Sequence, residues 1–448
     1  VITGVPDSDA RRHPEFSTPA SEISPVPLPP AERRGAFIYL GALTFLVSLA
    51  DPNGGLMDIP VSFFLKNKLH LEASEVARFR LIAGIPLYLS FVFGLLRDTW
   101  NPFGIKDRGL MAIFAAIGTC LYLAFAFAPG TYGNLLAAMA LLTMCTLFVA
   151  SAQSGLASTL GQQHAMSGQV SALWNIFASL PAVVALVLGG HLSERLEIEH
   201  SDTAARMLFL VGAATMAAIF LYSALRPKSV FDNIHLEHGT KFTPLQDLQR
   251  LARHRPAYCA LTIWLIWNFG PGSATPLQFY LQNTLHASDT DWGVWNAIFV
   301  GSFIPAYMLF GLLCQRVSLK RLLFWATIVA IPQFIPLLFA HGMSQALIIA
   351  AAMGLMGGMA TAAYLALLIR SCPHGLQGTT LMMSGALYYV SSRFGDVLGT
   401  YLYDKYGGFY VCVVLTTFSY VLILPMLWLI PRDYVEPADG EIVSVPLN

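Results

Sequence analysis

Hydrophobic positions in this chain gather into runs of helical length, separated by short polar stretches. The runs lie near residues 35–64, 74–97, 109–129, 132–160, 167–193 and 205–225, and then near 256–283, 290–314, 319–340, 343–370, 377–404 and 407–430. Roughly 20 consecutive apolar residues cross a bilayer, so each run predicts a membrane-spanning helix. The expected fold is an all-α membrane protein with twelve transmembrane helices in two parallel-repeat six-helix bundles. The expected division is a disordered cytoplasmic tail over 1–34, a first bundle over 35–225, a cytoplasmic linker over 226–255, a second bundle over 256–430 and a cytoplasmic tail over 431–448. Residues 1–34 are polar and Pro-rich and lack the apolar core of a signal peptide. In the linker, FTPLQDLQRLARH predicts a short amphipathic helix on the membrane surface.

The apolar pattern breaks in matching places. Asp51 interrupts the first run, followed directly by Pro52, Asn53, Gly54 and Gly55; further on, Asn268, Gly270, Pro271 and Gly272 interrupt the seventh. PVSFFLKNKLH (Pro60 to His70) is echoed by PLQFYLQNTLH (Pro276 to His286), Gly94-Leu95-Leu96 by Gly311-Leu312-Leu313, and LGGHLSE (Leu188 to Glu194) by LGTYLYD (Leu398 to Asp404). Self-similarity at this separation means two copies of one bundle. Helices interrupted by Gly and Pro at corresponding places in two halves point to a site at the interface of the repeats.

Composition agrees. The 448 residues are 55% hydrophobic and 12% charged, with a mean hydropathy of +0.59; a soluble domain carries about 25% charge. Net charge is zero, and no basic block suggests nucleic acid. The six cysteines are scattered without metal spacing, no phosphate-cradling P-loop occurs and no nucleophile–base constellation stands out. The expectation is therefore a non-enzyme with no cofactor and no metal.

Charge sets the topology. Of the 26 Lys and Arg residues, 18 fall on the side of the termini and linker, 5 on the other side and 3 (Arg78, Arg80 and Arg393) inside predicted spans. The positive-inside rule makes the termini and linker cytoplasmic.

Ionisable groups within the bilayer are costly and mark candidate sites. Asp51 lies 17 residues beyond Arg34, and Arg80 lies 17 before Arg97, which puts both about 26 Å from the cytoplasmic boundary. Two readings stand for them: a permanent ion pair bracing spans 1 and 2, or a site in which Arg80 holds an anionic group while Asp51 titrates. Arg78 is about 200° around the helix from Arg80, so only one of the two can face the same cavity. On span 11, Arg393 and Asp396 are spaced as an i, i+3 pair, read either as local neutralisation or as a second anion contact with Asp396 orienting the arginine. Trp174, Asn175, Trp267, Asn268, Asn296, Tyr364, Tyr388 and Tyr389 are polar or aromatic residues near mid-span, each readable as packing or as cavity lining. No His lies at mid-membrane.

Twelve spans, parallel halves and a basic central linker resemble the major facilitator superfamily. That family carries G-x-x-x-D, then a Gly and two basic residues, between spans 2 and 3; here Gly94 and Asp98 are followed by Gly104, Lys106 and Arg108, with an Asp-to-Gly gap three residues longer than usual. The lengthened loop, the FFLKNKLHL segment and the IPLYLSFVFGLLRD helix resemble the folate–biopterin transporter branch and its muropeptide-permease relatives. The second-half copy departs from the motif, with Gln315 in place of the Asp, although Arg316, Lys320 and Arg321 keep the charge.

The resemblance implies a monomeric, multi-pass protein of a plasma or bacterial inner membrane, moving a small-molecule substrate by alternating access. It implies that Gly94, Asp98, Lys106 and Arg108 latch the cytoplasmic gate, a purely topological role being the other reading of the two basic residues. Added to it, the buried arginines point to an organic anion bound by Arg80, Arg393, Asn175, Asn268, Trp267, Tyr388 and Tyr389, with Asp51 and Asp396 as proton-coupling carboxylates. The rivals are a drug or metabolite exporter of the same fold and a non-transporting receptor or scaffold.

Overall fold

The computed structural model describes residues 28–54, 61, 65, 69, 73–198, 201–231 and 244–441, and all its regular structure is helical. Arg11 and Arg12, most of the Pro60–His70 echo with Lys66 and Lys68, and Lys241 of the linker lie outside the described residues.

Helix α1 spans Pro30–Ala50. It starts earlier than the apolar run suggests because Pro30 and Glu32 suit a first helical turn, where the proline ring presets φ and an acid faces the helix dipole. The second apolar run is not one rod. It is divided into α2 (Ala73–Ala83), α3 (Ile85–Tyr88) and α4 (Ser90–Thr99), because Pro86 cannot donate to the ladder and Gly84 and Leu89 take up the kinks. Helix α5 spans Asp107–Ala126, α6 Tyr132–Gln163, α7 Ser167–Ile198 and α8 Ser201–Ala224. The linker contributes α9 (Lys228–Phe231) and the strongly amphipathic α10 (Pro244–Arg253).

The second half repeats the plan. Helix α11 (Arg255–Asn268) breaks before α12 (Ala274–Thr284), and α13 (Asp289–Gly301) bends into α14 (Phe303–Leu313). Then come α15 (Leu319–Ala330) with a 3₁₀ turn at Ile335–Phe339, α16 (Met343–Ser371) and α17 (Gln377–Lys405). Last are α18 (Phe409–Val421), α19 (Ile423–Leu427) and a short α20 (Arg432–Val435).

Among the described residues, eight stretches are long and apolar enough to cross a bilayer. The other four expected crossings fall on the divided α2–α4, on α7, on the broken α11–α12 and on α17. Several hydroxyl groups inside the helices bond back within their own turn: in α6, Thr143 donates to the Met139 carbonyl at 2.6 Å and Thr146 to Leu142 at 3.0 Å. Such back-bonding lets a polar residue sit where lipid or packed side chains offer no partner.

Two sets of helices meet along a long seam. Helices α4 and α6 pack on α17, while α7 packs on α14 and α16. Elements of the first half thus face elements of the second.

Candidate functional site

The two helix breaks are built from local hydrogen bonds and anchored on neighbouring helices. At the first, Asp51 leaves the helix with φ −65° and ψ 116°, and its Oδ1 accepts the Asn53 backbone N–H at 3.0 Å. Asn53 Nδ2 donates to Thr143 Oγ1 on α6 at 2.7 Å. The Tyr122 hydroxyl of α5 donates to the last helical carbonyl, Ala50 O, at 3.1 Å, within electrostatic range of Asp51. A half-buried carboxylate therefore stands at the break inside a shell of hydroxyl and amide groups.

At the second break, the Gly272 N–H donates to Thr416 Oγ1 at 2.7 Å. Asp396 accepts the Thr275 N–H at 3.0 Å and the Thr275 hydroxyl at 3.2 Å. This corrects the expected Arg393–Asp396 pair: among the described residues no ion pair joins them, because the carboxylate turns to the first N–H groups of α12, which have no partner inside their own helix. Asp396 thereby ties α17 to the helix that restarts after the break.

Arg80 and Arg393 stand at similar residue counts from a contact between the two halves. Gly94 abuts the Gly378 backbone, where an added Cβ would lie 2.5 Å from the Gly378 carbonyl oxygen. Ser90 Oγ donates to Met382 O at 2.8 Å, and the Tyr88 and Tyr389 rings meet edge-on at 6.5 Å. From the Gly94–Gly378 crossing, Arg80 stands 14 residues back along α2–α4 and Arg393 15 residues on along α17. Both side chains are exposed, as is Arg78. Tyr388, also exposed, has its hydroxyl within electrostatic range of Arg393 and its ring edge-on to Tyr389 at 5.1 Å.

The remaining candidates are largely occupied by their own surroundings. Trp267 is buried, donates its indole N–H to Thr361 Oγ1 at 3.1 Å and packs 4.7 Å from the Tyr420 ring and 5.3 Å from the Tyr364 ring. Asn175, Asn268 and Asn296 donate back to Ser171 O, Trp264 O and Trp292 O of their own helices; their amide oxygens remain the groups that could meet a solute. Tyr364 is buried against Thr327 at 2.7 Å. A cavity of about 400 Å³ is lined by Arg33, Arg34, Phe37, Leu173 and Gln315 among others, and none of the substrate candidates lines it.

The residues expected at the gate divide into two groups. Asp98 accepts the Gly378 N–H at 3.1 Å, the Thr379 N–H at 2.7 Å and the Thr379 hydroxyl at 2.7 Å. A first-half carboxylate thus caps the N-terminus of second-half α17, where the helix dipole favours negative charge. Behind it, Arg97 binds Asp107 through Nε at 2.6 Å and Nη2 at 2.7 Å, and Asp98 through Nη1 at 2.8 Å. Arg97 is 4% exposed, and Gly155 of α6 makes room for its guanidinium, since a Cβ there would collide with Arg97 Cζ. Arg108 faces elsewhere and donates to Ser223 O and Ala224 O, both at 2.9 Å, at the end of α8. Lys106 sits at φ 47° in the loop, its N–H held by Asn101 Oδ1 at 2.7 Å.

Sequence reasoning missed Arg97 and Asp107. Arg97 was counted only as a cytoplasmic charge. The available signal was its position directly before Asp98, with a second Asp between the two basic residues of the motif.

The sequence profile of the Major Facilitator Superfamily matches residues 272–442. Folate transporter 2 of Plasmodium falciparum is 19% identical over 313 residues, which are 69% of this chain and 66%, just under two thirds, of that protein's length. Among solved structures, the fucose transporter FucP in the outward conformation superposes with a TM-score of 0.68 at 14% identity, covering 88% of this chain and 98% of that one. The human organic anion transporter MFSD10 superposes with a TM-score of 0.61 at 14% identity, over 89% of this chain and all of that one. The proton:xylose symporter XylE gives 0.66 at 11% identity, over 88% and 96%.

Proposed function

Starting from the major facilitator fold of this multi-pass membrane chain, we propose that it is a secondary active transporter of an organic anion, coupled to protons and working as a monomer. The observation that supports this reading is that Arg80 and Arg393 stand 14 and 15 residues from the Gly94–Gly378 contact between the two halves, each with an exposed side chain. A guanidinium recognises carboxylate or phosphate through paired, charge-assisted hydrogen bonds. An anion held by one arginine from each bundle draws the bundles together, so occupancy and rocking are coupled. Asp51, at the helix break of the first bundle, is the group that takes the proton; its neutralisation changes the charge beside the site as the solute binds. The Plasmodium relative is named for folate, an anionic solute, and one structural neighbour is an organic anion transporter, while FucP and XylE are proton symporters of sugars.

The ends of the halves on the side read as cytoplasmic are joined. Besides the Asp98 cap, Gln162 Nε2 donates to Cys372 O at 2.7 Å and Ser171 Oγ to Ala362 O at 2.7 Å. A closed cytoplasmic side is the outward-facing half of an alternating-access cycle.

Counterflow in proteoliposomes tests the proposal. Vesicles loaded with a folate, a pterin or a small carboxylate should take up labelled solute of the same kind, and a pH gradient should drive its accumulation. A scaffold would show no counterflow, and an exporter of apolar cations would exchange those instead.

A further inference from the structure

The second half lacks the carboxylate that the first half uses as a latch. Asp98 stands four residues after Gly94; four residues after Gly311 stands Gln315. Its Nε2 donates back to Gly311 O at 3.0 Å, and the side chain is exposed. A carboxylate nevertheless sits at the corresponding place, and it comes from the end of the chain. Asp439 Oδ1 accepts the Gly168 N–H at 3.2 Å, and Oδ2 accepts the Gln169 N–H at 2.9 Å. These are the first free N–H groups of α7. Ser167 Oγ lies 3.4 Å from Oδ1.

An arginine backs this carboxylate as Arg97 backs Asp98. Arg370, at the end of α16, reaches Asp439 Oδ1 through Nη2 at 2.7 Å, Ser167 Oγ through Nε at 2.6 Å and Pro437 O through Nη1 at 2.7 Å. The segment is held along its length. The Asp439 N–H donates to Cys314 O at 2.9 Å, and the Gly440 N–H to Ala165 O at 2.7 Å. Asp439 is 6% exposed and Cys314 3%. Gly168 permits the approach, since a Cβ there would lie 2.7 Å from Cys314 Cβ.

The two latches are reciprocal. A first-half carboxylate caps second-half α17, and a carboxylate following the second half caps first-half α7. We propose that Asp439 is a gate-positioning residue: the C-terminal segment replaces the carboxylate lost at Gln315, clamps α7 to α14 and α16 on the cytoplasmic side, and must leave before that side opens. Because it rides on a segment rather than on a spanning helix, this latch can detach without any movement of the bundles. The gating consequence rests on the alternating-access reading above; the docking itself does not.

Cys314 reports the docked state. Its Sγ lies 3.6 Å from Asp439 Oδ2. Burial, and then the adjacent Asp439 carboxylate, push the thiol well above its ordinary range, so it reacts slowly while the segment is seated. The test uses the full chain with Cys120, Cys145, Cys259, Cys372 and Cys412 replaced by Ser, purified and monodisperse. A water-soluble maleimide should label Cys314 about ten- to a hundredfold faster in Asp439→Asn than in the parent, the range expected for loss of charge-assisted hydrogen bonds. Asp433→Asn, on the exposed side of the same segment, should leave the rate unchanged. Adding Gln315→Asp to Asp439→Asn should restore a closed seam, read at Ser171→Cys in a Cys314→Ser background.

Equal labelling of Cys314 in parent and Asp439→Asn would overturn the docking. Faster labelling of Cys314 with no change at Ser171→Cys would show a segment that docks but does not gate. Failure of Gln315→Asp to close the seam would refute the replacement. None of these readouts needs a substrate, so they stand apart from failure of the transport reading.

Discussion

Arg97 and Asp107 form a two-pronged ion pair, Nε to Oδ1 at 2.6 Å and Nη2 to Oδ2 at 2.7 Å, and the same guanidinium reaches Asp98. All three groups are nearly sealed from water, with side-chain exposures of 4%, 7% and 1%. One cation beneath two anions leaves a net negative charge, and it is Asp98 that turns this charge toward the N-terminus of α17.

Asp98→Asn keeps an acceptor but removes the charge, so α17 is held less firmly. The closed-to-open ratio of the cytoplasmic side should fall by roughly tenfold, about 1.4 kcal/mol. Reactivity of Ser90→Cys, which sits between α4 and Met382, should rise in Asp98→Asn by that factor. Arg97→Ala is a harsher change. It strands two buried carboxylates and should cost about 3–5 kcal/mol, seen as loss of folded, monodisperse protein rather than as a shift in gating.

Arg108→Ala separates capping from latching. Among the described residues, Arg108 hydrogen-bonds the last carbonyls of α8 and lies over the Phe231 ring, so its removal should lower stability by about 0.5–1.5 kcal/mol. In detergent the melting temperature should drop while the reactivity of Ser90→Cys stays at the parent value. A rise in that reactivity would return Arg108 to the gate, where the family motif puts it.

Much of this architecture was legible in sequence. Periodicity located the spans, and Pro and Gly located the breaks, because both depend on near neighbours in the chain. Gly94 and Asp98 were legible through motif spacing. Asp439 was not. Its role depends on Gly168, Gln169 and Arg370, and no local pattern couples residues that far apart. The Arg393–Asp396 pair failed for a related reason: helical spacing makes two charges neighbours, but the unpartnered N–H of Thr275 on another element competes for the carboxylate. Trp267 was legible as an interior aromatic, yet its ring packs on Tyr364 and Tyr420 and its N–H is taken by Thr361.

Proton coupling is tested at Asp51. Asp51→Asn mimics the protonated form and should still bind and exchange solute in counterflow. It should lose accumulation driven by a pH gradient. Accumulation with unchanged pH dependence would move the coupling to another carboxylate, and Asp396→Asn would be the next variant to assay. Since Asn can still accept the Thr275 N–H, that variant keeps the α12 cap.

The central claim is that Arg80 and Arg393 together hold an anion, and ligand-induced stabilisation of the purified protein tests it most directly. A bound ligand raises the melting temperature by an amount set by its concentration over Kd. The panel pairs folates, pterins and small carboxylates with the neutral sugars fucose and xylose, against the parent, Arg80→Ala and Arg393→Ala, with Lys405→Ala as an outer-surface control. The account predicts stabilisation by an anionic member, lost in both arginine variants and kept in the Lys405 variant. Stabilisation by a neutral sugar alone, equal in the parent and in both arginine variants, would contradict it.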